Sequence, residues 1–188
     1  MPRRGPARIA VHPIRAVIIA AFTAAAAVAA TQSLPPALGE SDGVVAGSVS
    51  VFDDRIPAVA HLDPRLRRAL RRAARDAARD GIVIVVNSGW RSRVYQEQLV
   101  RDAIEKHGSK KKAARWVASP DTSSHVFGEA VDVGPSRAAA WLSRRGARYG
   151  LCRTYRNEPW HFEFRPEAAA RGCPSMYADA GRDPRMQQ

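Results

Sequence analysis

Residues 152–164 read CRTYRNEPWHFEF. Cys152 to Tyr155 and Trp160 to Phe164 are strand-like runs, rich in aromatic residues, and only Arg156, Asn157, Glu158 and Pro159 stand between them. A connection that short has no room for the crossover helix that parallel neighbours require. The chain therefore closes on an antiparallel pair. Upstream, strands and helices interleave, so the fold class is α+β with a small antiparallel sheet flanked by helices, not a doubly wound sheet.

Outward from that pair, SRAAAWLSRRGARYG (136–150) is helical at least through Arg145, and Ala130 to Val133 has the alternation of a strand. KKKAARWVAS (110–119) reads as a short helix with Trp116 and Val117 inward, ended by Pro120. A helix over about 94–107 places Leu99, Ala103 and Ile104 on its inner side, and Gly108 stops it. IVIVVN (82–87) is a β-branched strand, followed by the turn SGWRS. Before it, Asp63 can cap and Pro64 can open a helix that Gly81 follows. On that helix Leu66, Leu70, Ala73, Ala74 and Ala77 share one face, with arginines around the other.

One compact domain is expected over 51–175. Residues 1–30 differ in composition: Arg3, Arg4, Arg8 and Arg15 precede an apolar run from Ala16 to Ala30. That is the plan of a signal peptide, or of an N-terminal anchor if retained, and it predicts export. Residues 31–50, with Pro, Gly and Ser and no sustained period, read as a linker; residues 176–188 read as a flexible polar tail. The net charge of +12 falls to +8 once the four arginines of the first thirty residues, which hold no acid, are set aside. A basic exported chain favours polyanions, and for an exported one an anionic cell-wall polymer is the expected kind. Nucleic acid is not expected, because no reader motif or aromatic-interleaved basic patch accompanies the arginines. Cys152 and Cys173, an even pair in an exported chain, predict a disulfide.

The chemistry gathers at two places. SSHVFGEAVDVG (123–134) holds His125 and Asp132 with Gly128 between them to allow a bend; NEPWH (157–161) holds Glu158 and His161. A buried Asp in an apolar strand needs a partner, which a metal ion would supply. Two imidazoles and a carboxylate are a common catalytic zinc set, and a further carboxylate beside the water is what peptide hydrolysis needs as general base. Asp132 suits the ligand set and Glu158 the base, although spacing alone permits the exchange. Taken singly each histidine has an ordinary explanation, and His12, His61 and His107 are given no role. Arg91, just after a buried strand, offers a planar fork for a terminal carboxylate or a developing oxyanion.

Ser123-x-His125-x-x-Gly128-x-Ala130-x-Asp132, then Glu158-x-Trp160-His161, resembles the two signatures of the VanY/VanX-type zinc D-alanyl-D-alanine carboxypeptidases and dipeptidases. Ser88-Gly89-Trp90-Arg91-Ser92 with Gln96 is similar to a third element of the VanY-like group. The resemblance runs from about Asp53 to Phe164 and implies a single domain of the hedgehog/D-Ala-D-Ala-peptidase fold. It implies that His125, Asp132 and His161 bind one zinc ion, that Glu158 is the catalytic base, and that Arg91 stabilises the transition state or holds the substrate's carboxylate. Gln96, Ser123 and Trp160 are then substrate-binding positions. Asp121 stands where many relatives have a glycine, which alters that loop.

The expected function is thus removal of the terminal D-alanine from peptidoglycan stem peptides by an exported monomer. The alternatives are a dipeptidase, an L,D-carboxypeptidase or a peptidoglycan endopeptidase on the same fold. From a different class comes a non-catalytic zinc-containing module that binds the cell wall.

Overall fold

The computed structural model describes Met1 and residues 37–187. The predicted export segment, apart from Met1, and residues 31–36 of the predicted linker lie outside the described residues. Five strands form one sheet: β1 (Val49–Ser50), β2 (Val85–Ser88), β3 (Ala130–Gly134), β4 (Leu151–Arg153) and β5 (His161–Phe164). Their order is β1-β2-β3-β5-β4, and every pairing is antiparallel. The helices are α1 (Pro57–Ala60), α2 (Pro64–Arg79), α3 (Arg93–His107), α4 (Lys110–Ala113), α5 (Ser136–Arg145) and α6 (Ala168–Arg171). Among the described residues no helix is long and apolar enough to cross a membrane.

The β4–β5 pair is antiparallel, with Leu151 opposite Phe164 and Arg153 opposite Phe162. The core lies between the sheet and helices α2 and α5. Leu66, Ala69, Leu70, Ala73, Ala74 and Ala77 of α2 pack with Trp141 and Leu142 of α5 and with Val86, Val131, Val133 and Phe162 of the strands. Asp63 caps α2, its carboxylate accepting from the backbone N–H groups of Arg65 and Leu66 at 2.7 and 3.3 Å.

Cys152 and Cys173 form the expected disulfide, 21 residues apart. Closing a loop of that length stabilises the fold by about 3 kcal/mol. Reducing it is therefore expected to lower the melting temperature by roughly 6–12 °C, which a thermal melt with and without reductant measures.

Both domain boundaries differ from expectation. Part of the predicted linker belongs to the fold: Val49 and Ser50 pair with Val86 and Val85, and Asp42 accepts from the Ser92 N–H and hydroxyl at 2.8 and 2.9 Å. The predicted tail is also structured, with 3-10 turns at Ala180–Arg182 and Pro184–Gln187. Its polarity had pointed to solvent, yet Asp183 is completely buried and Arg185 reaches Glu163. Charged residues can enter an interior when their partners are waiting there.

Helix α4 stops at Ala113, well short of the predicted 119, and Trp116 is 43% exposed instead of inward. The chain beyond it is drawn into other bonds: the Ala118 carbonyl accepts from the Gln96 amide at 2.9 Å and that of Arg115 from Asn157 at 3.1 Å. Trp116 stacks on His107, ring centroids 5.9 Å apart. On α3 the buried positions are Gln96 and Ala103, while Leu99 and Ile104 are only half-buried. The inner side of that helix borders a polar cleft as well as apolar neighbours.

Candidate active site

Strands β3 and β5 place Asp132 directly opposite His161. Cross-strand partners stand about 5 Å apart, so the two side chains meet without any loop rearrangement. Asp132 Oδ1 lies 3.1 Å from His161 Nδ1 and 3.4 Å from His125 Nε2, and the two histidine nitrogens are 3.2 Å apart. All three residues are buried.

His125 arrives from the loop before β3, held on several sides. Its Nδ1 lies 2.7 Å from the Gly89 carbonyl, which fixes that nitrogen as the donor and turns the lone pair of Nε2 towards Asp132. Its own carbonyl accepts from the N–H groups of Arg91 and Gly128. Gly128 has φ +70°, and a Cβ there would stand 2.4 Å from the His61 carbonyl oxygen. Left-handed backbone costs a non-glycine residue about 1–2 kcal/mol before any clash is counted. Gly128→Ala is therefore expected to lower stability by about 2 kcal/mol or more, read from a thermal melt, and to displace His125.

The fourth group is Glu158, just before β5. Its Oε2 lies 3.9 Å from His161 Nδ1, while its Oε1 is buried with no hydrogen-bond partner among the described residues. Burial pushes its carboxyl up to about 7, and the Asp132 charge adds to that against the pull of His161 and Arg91. Asp132 moves the other way: burial opposes its ionisation, but His125, His161 and Arg91 outweigh it and hold the carboxyl well below its ordinary range. His161, although buried, is raised to about 10 by Asp132 on one side and Glu163 on the other. The cluster thus calls for positive charge at its centre.

The donor set fits a divalent cation. One nitrogen of His125, one of His161 and one oxygen of Asp132 all lie within 4.8 Å of one another. With an ion taking the place of the His161 proton, two imidazoles and a carboxylate would supply three ligands, and Glu158, its Oε2 3.9 Å from His161 Nδ1, adjoins the set without belonging to it.

A cavity of about 200 Å³ surrounds the cluster, and it is lined by each site residue predicted above: Arg91, Gln96, Ser123, His125, Asp132, Glu158, Trp160 and His161. Arg91 is more constrained than its sequence context implied. Its Nε donates to the Ser88 hydroxyl at 2.8 Å and its two terminal nitrogens to Gln96 Oε1 at 3.2 Å and Asp132 Oδ2 at 2.9 Å. That engages three of the five guanidinium donors with described residues. Gln96 is only 1% exposed, and its amide joins Arg91 to the Ala118 carbonyl, so it acts on the cavity chiefly through Arg91. Asp121 is exposed and pairs with Arg93 at 2.5 Å, away from the cavity lining. Exposed Glu129 takes no part in the cluster, nor do His61 and His107; His12 lies outside the described residues.

Sequence reasoning missed several lining residues. Tyr155, Trp116, Ser124 and Met186 border the cavity, and Tyr155 sets its ring 5.1 Å from that of His161. Glu163 escaped notice although it lies two residues beyond His161 on one strand, the spacing that puts both on the same face. A larger cavity of about 520 Å³, lined by Val133, Pro135, Ala139 and Trp160, adjoins this one but contains none of the four clustered groups.

Comparison with known proteins points to one family. The model of the VanY family, D-alanyl-D-alanine carboxypeptidase, matches residues 59–167. A D-alanyl-D-alanine carboxypeptidase of Enterococcus faecalis (strain ATCC 700802 / V583) is 30% identical, the match covering 45% of this chain and 41% of the relative. The chain thus spans less than half the length of that curated relative. Among solved structures, VanYB in complex with D-alanine-D-alanine is 27% identical with a TM-score of 0.55, over 58% of this chain and 75% of that one. A mutant of the vancomycin-resistance D,D-pentapeptidase VanY from a VanB-type cassette, in complex with Zn(II), is 27% identical with a TM-score of 0.52, over 55% and 72%. An LD-carboxypeptidase, LdcB, is 22% identical with a TM-score of 0.54, over 71% and 73%, a likeness of fold.

Proposed function

The chain belongs to the VanY family of D-alanyl-D-alanine carboxypeptidases, and from that premise we propose that it is an exported, zinc-dependent enzyme that removes the terminal D-alanine from peptidoglycan stem peptides. The observation that carries the reading is the buried His125–Asp132–His161 cluster with the partnerless Glu158 oxygen beside it. A relative's Zn(II) complex and another's D-alanine-D-alanine complex support the choice of metal and substrate.

His125 through Nε2, His161 through Nδ1 and Asp132 through Oδ1 would hold the ion. When bound, zinc supplies Lewis acidity, polarising a carbonyl and lowering the pKa of a water to about 7. Glu158 takes the proton as water attacks the scissile carbonyl and returns it to the leaving amine. Its burial suits that work, because desolvation makes a carboxylate a stronger base than one in water. Arg91 is a fixed cation in the cavity wall, pre-set by Ser88, Gln96 and Asp132. It stabilises negative charge on the substrate, either the free carboxylate or the developing oxyanion, without reorganising. Ser123 and Trp160 border the space where the stem peptide lies.

A non-catalytic wall-binding module has no use for Glu158, whose buried oxygen is costly without a partner. The arginine-rich outer face of α2, with Arg68, Arg72 and Arg75 exposed, suits an anionic wall polymer. Export rests on the composition of residues 1–30.

Mass spectrometry of the products from stem peptides ending in D-Ala-D-Ala, and from those ending one residue shorter, tests the reaction. Loss of a single alanine from the pentapeptide, with the tetrapeptide intact, is expected. Cleavage of the tetrapeptide alone would make the enzyme an L,D-carboxypeptidase, and no cleavage by the zinc-loaded protein would remove the enzyme reading.

A further inference from the structure

The far side of His161 is built as carefully as the side facing Asp132. Glu163 shares its face of β5 and is 2% exposed, with Oε1 lying 3.4 Å from His161 Nε2. The same oxygen lies within 3.3 Å of the Ser124 hydroxyl and of an Arg185 nitrogen. Oε2 accepts from Arg165 at 2.5 Å and from the other terminal nitrogen of Arg185 at 2.8 Å. Arg185 therefore grips Glu163 with both prongs and touches the oxygen that faces the histidine; Arg165 touches only the other one.

Arg185 is itself anchored. It is ion-paired with Asp183, which is completely buried and accepts from the Tyr155 hydroxyl at 3.0 Å. The Tyr155 ring packs against His161, so the loop of contacts closes on the residue where it began. The neighbouring Met186 and Ala180 line the cavity. Thus residues 180–186 reach both the front and the back of the site.

We propose that Arg185 is a positioning residue of the metal site, acting through Glu163 on His161. A buried carboxylate that accepts from Nε2–H holds the imidazole in the tautomer whose Nδ1 lone pair is free for a metal, and fixes the ring's orientation. Without those bonds the carboxylate would be free to swing away from Nε2, and the histidine would lose its guide. Arg185, bonded to both of its oxygens, holds Glu163 in place. The assignment rests on the zinc reading above and adds to it a requirement for the stretch around Arg185.

The test compares the zinc dissociation constant, by chelator competition, of the full chain and four variants, together with the melting temperature of each metal-free protein. Arg185→Ala and Glu163→Gln are expected to weaken zinc binding about 10–100-fold, and Arg185→Lys to recover part of the loss. Arg115→Ala is the control, because Arg115 ties the same C-terminal stretch through Asp179 at 3.0 Å without touching Glu163. It should stay within about two-fold of the unaltered chain. Equal zinc affinity in Glu163→Gln and the unaltered chain overturns the proposal, and so does a loss in Arg115→Ala as large as that in Arg185→Ala. If Arg185→Ala does not fold, the near-isosteric Glu163→Gln and the charge-preserving Arg185→Lys decide the matter. An unaltered chain that binds no zinc overturns the reading of function itself, and this proposal with it.

Discussion

Glu158→Gln is expected to lower kcat by about 10²–10⁴-fold on a pentapeptide ending in D-Ala-D-Ala, the contribution typical of a positioned general base. Zinc content should be unchanged, because Glu158 stands beside the ligand set and not within it. Stability should move in the opposite direction to activity. Burial raises the carboxyl from 4.5 to about 7 in the metal-free fold, so the folded state binds more protons than the unfolded one between those values. Stability accordingly falls as pH rises through that window, by up to about 3 kcal/mol when complete. Glutamine cannot ionise and escapes this loss. The metal-free variant is expected to melt higher than its parent at pH 8 and to differ little at pH 4. Kinetics, metal analysis and two thermal melts check the three parts separately.

Asp132→Asn is expected to do more damage, since under the proposed function one carboxylate would serve both metal and fold. Oδ1 faces His125 and His161, while Oδ2 accepts from Arg91 in a pair nearly sealed from water. Removing the charge would take away a proposed ligand and leave the largely covered Arg91 guanidinium without its counter-charge. Breaking such a pair from one side costs about 3–5 kcal/mol. The variant should bind no zinc at micromolar metal, show no measurable turnover, and melt roughly 10 °C lower as the metal-free protein. Glu158→Gln and Asp132→Asn therefore separate: the first keeps its metal and loses its chemistry, the second loses both.

How far these roles were legible in the sequence depended on how local their signals were. The four residues between Tyr155 and Trp160 forced an antiparallel closing pair, and the strand register then set Asp132 opposite His161. The face of α2 was readable because a single helical period carries it. The site residues stood out through three short motifs in order, and all of them line one cavity.

What stayed hidden depends on contacts between distant segments. The ionic grip of Arg185 on Glu163 spans 22 residues and has no local pattern. Its polar neighbourhood is the same composition that marks a loose end, so only tertiary structure tells a buried Asp183 from a solvated one. The Val49–Ser50 strand is too short to show a period, and its pairing with β2 decides its state. At Trp116 a large apolar side chain was assumed to be buried, whereas it forms part of an open wall. Arg91 was legible as a cation near the site, but not its bond to Asp132, 41 residues away.

The most direct test of the central claim is a titration of the metal-free protein with zinc while release of D-alanine from the pentapeptide is followed. Activity should be absent at the start, rise in proportion to added zinc, and level off at one equivalent. Full activity before any metal is added, or zinc bound at one equivalent with no D-alanine released, would contradict the account.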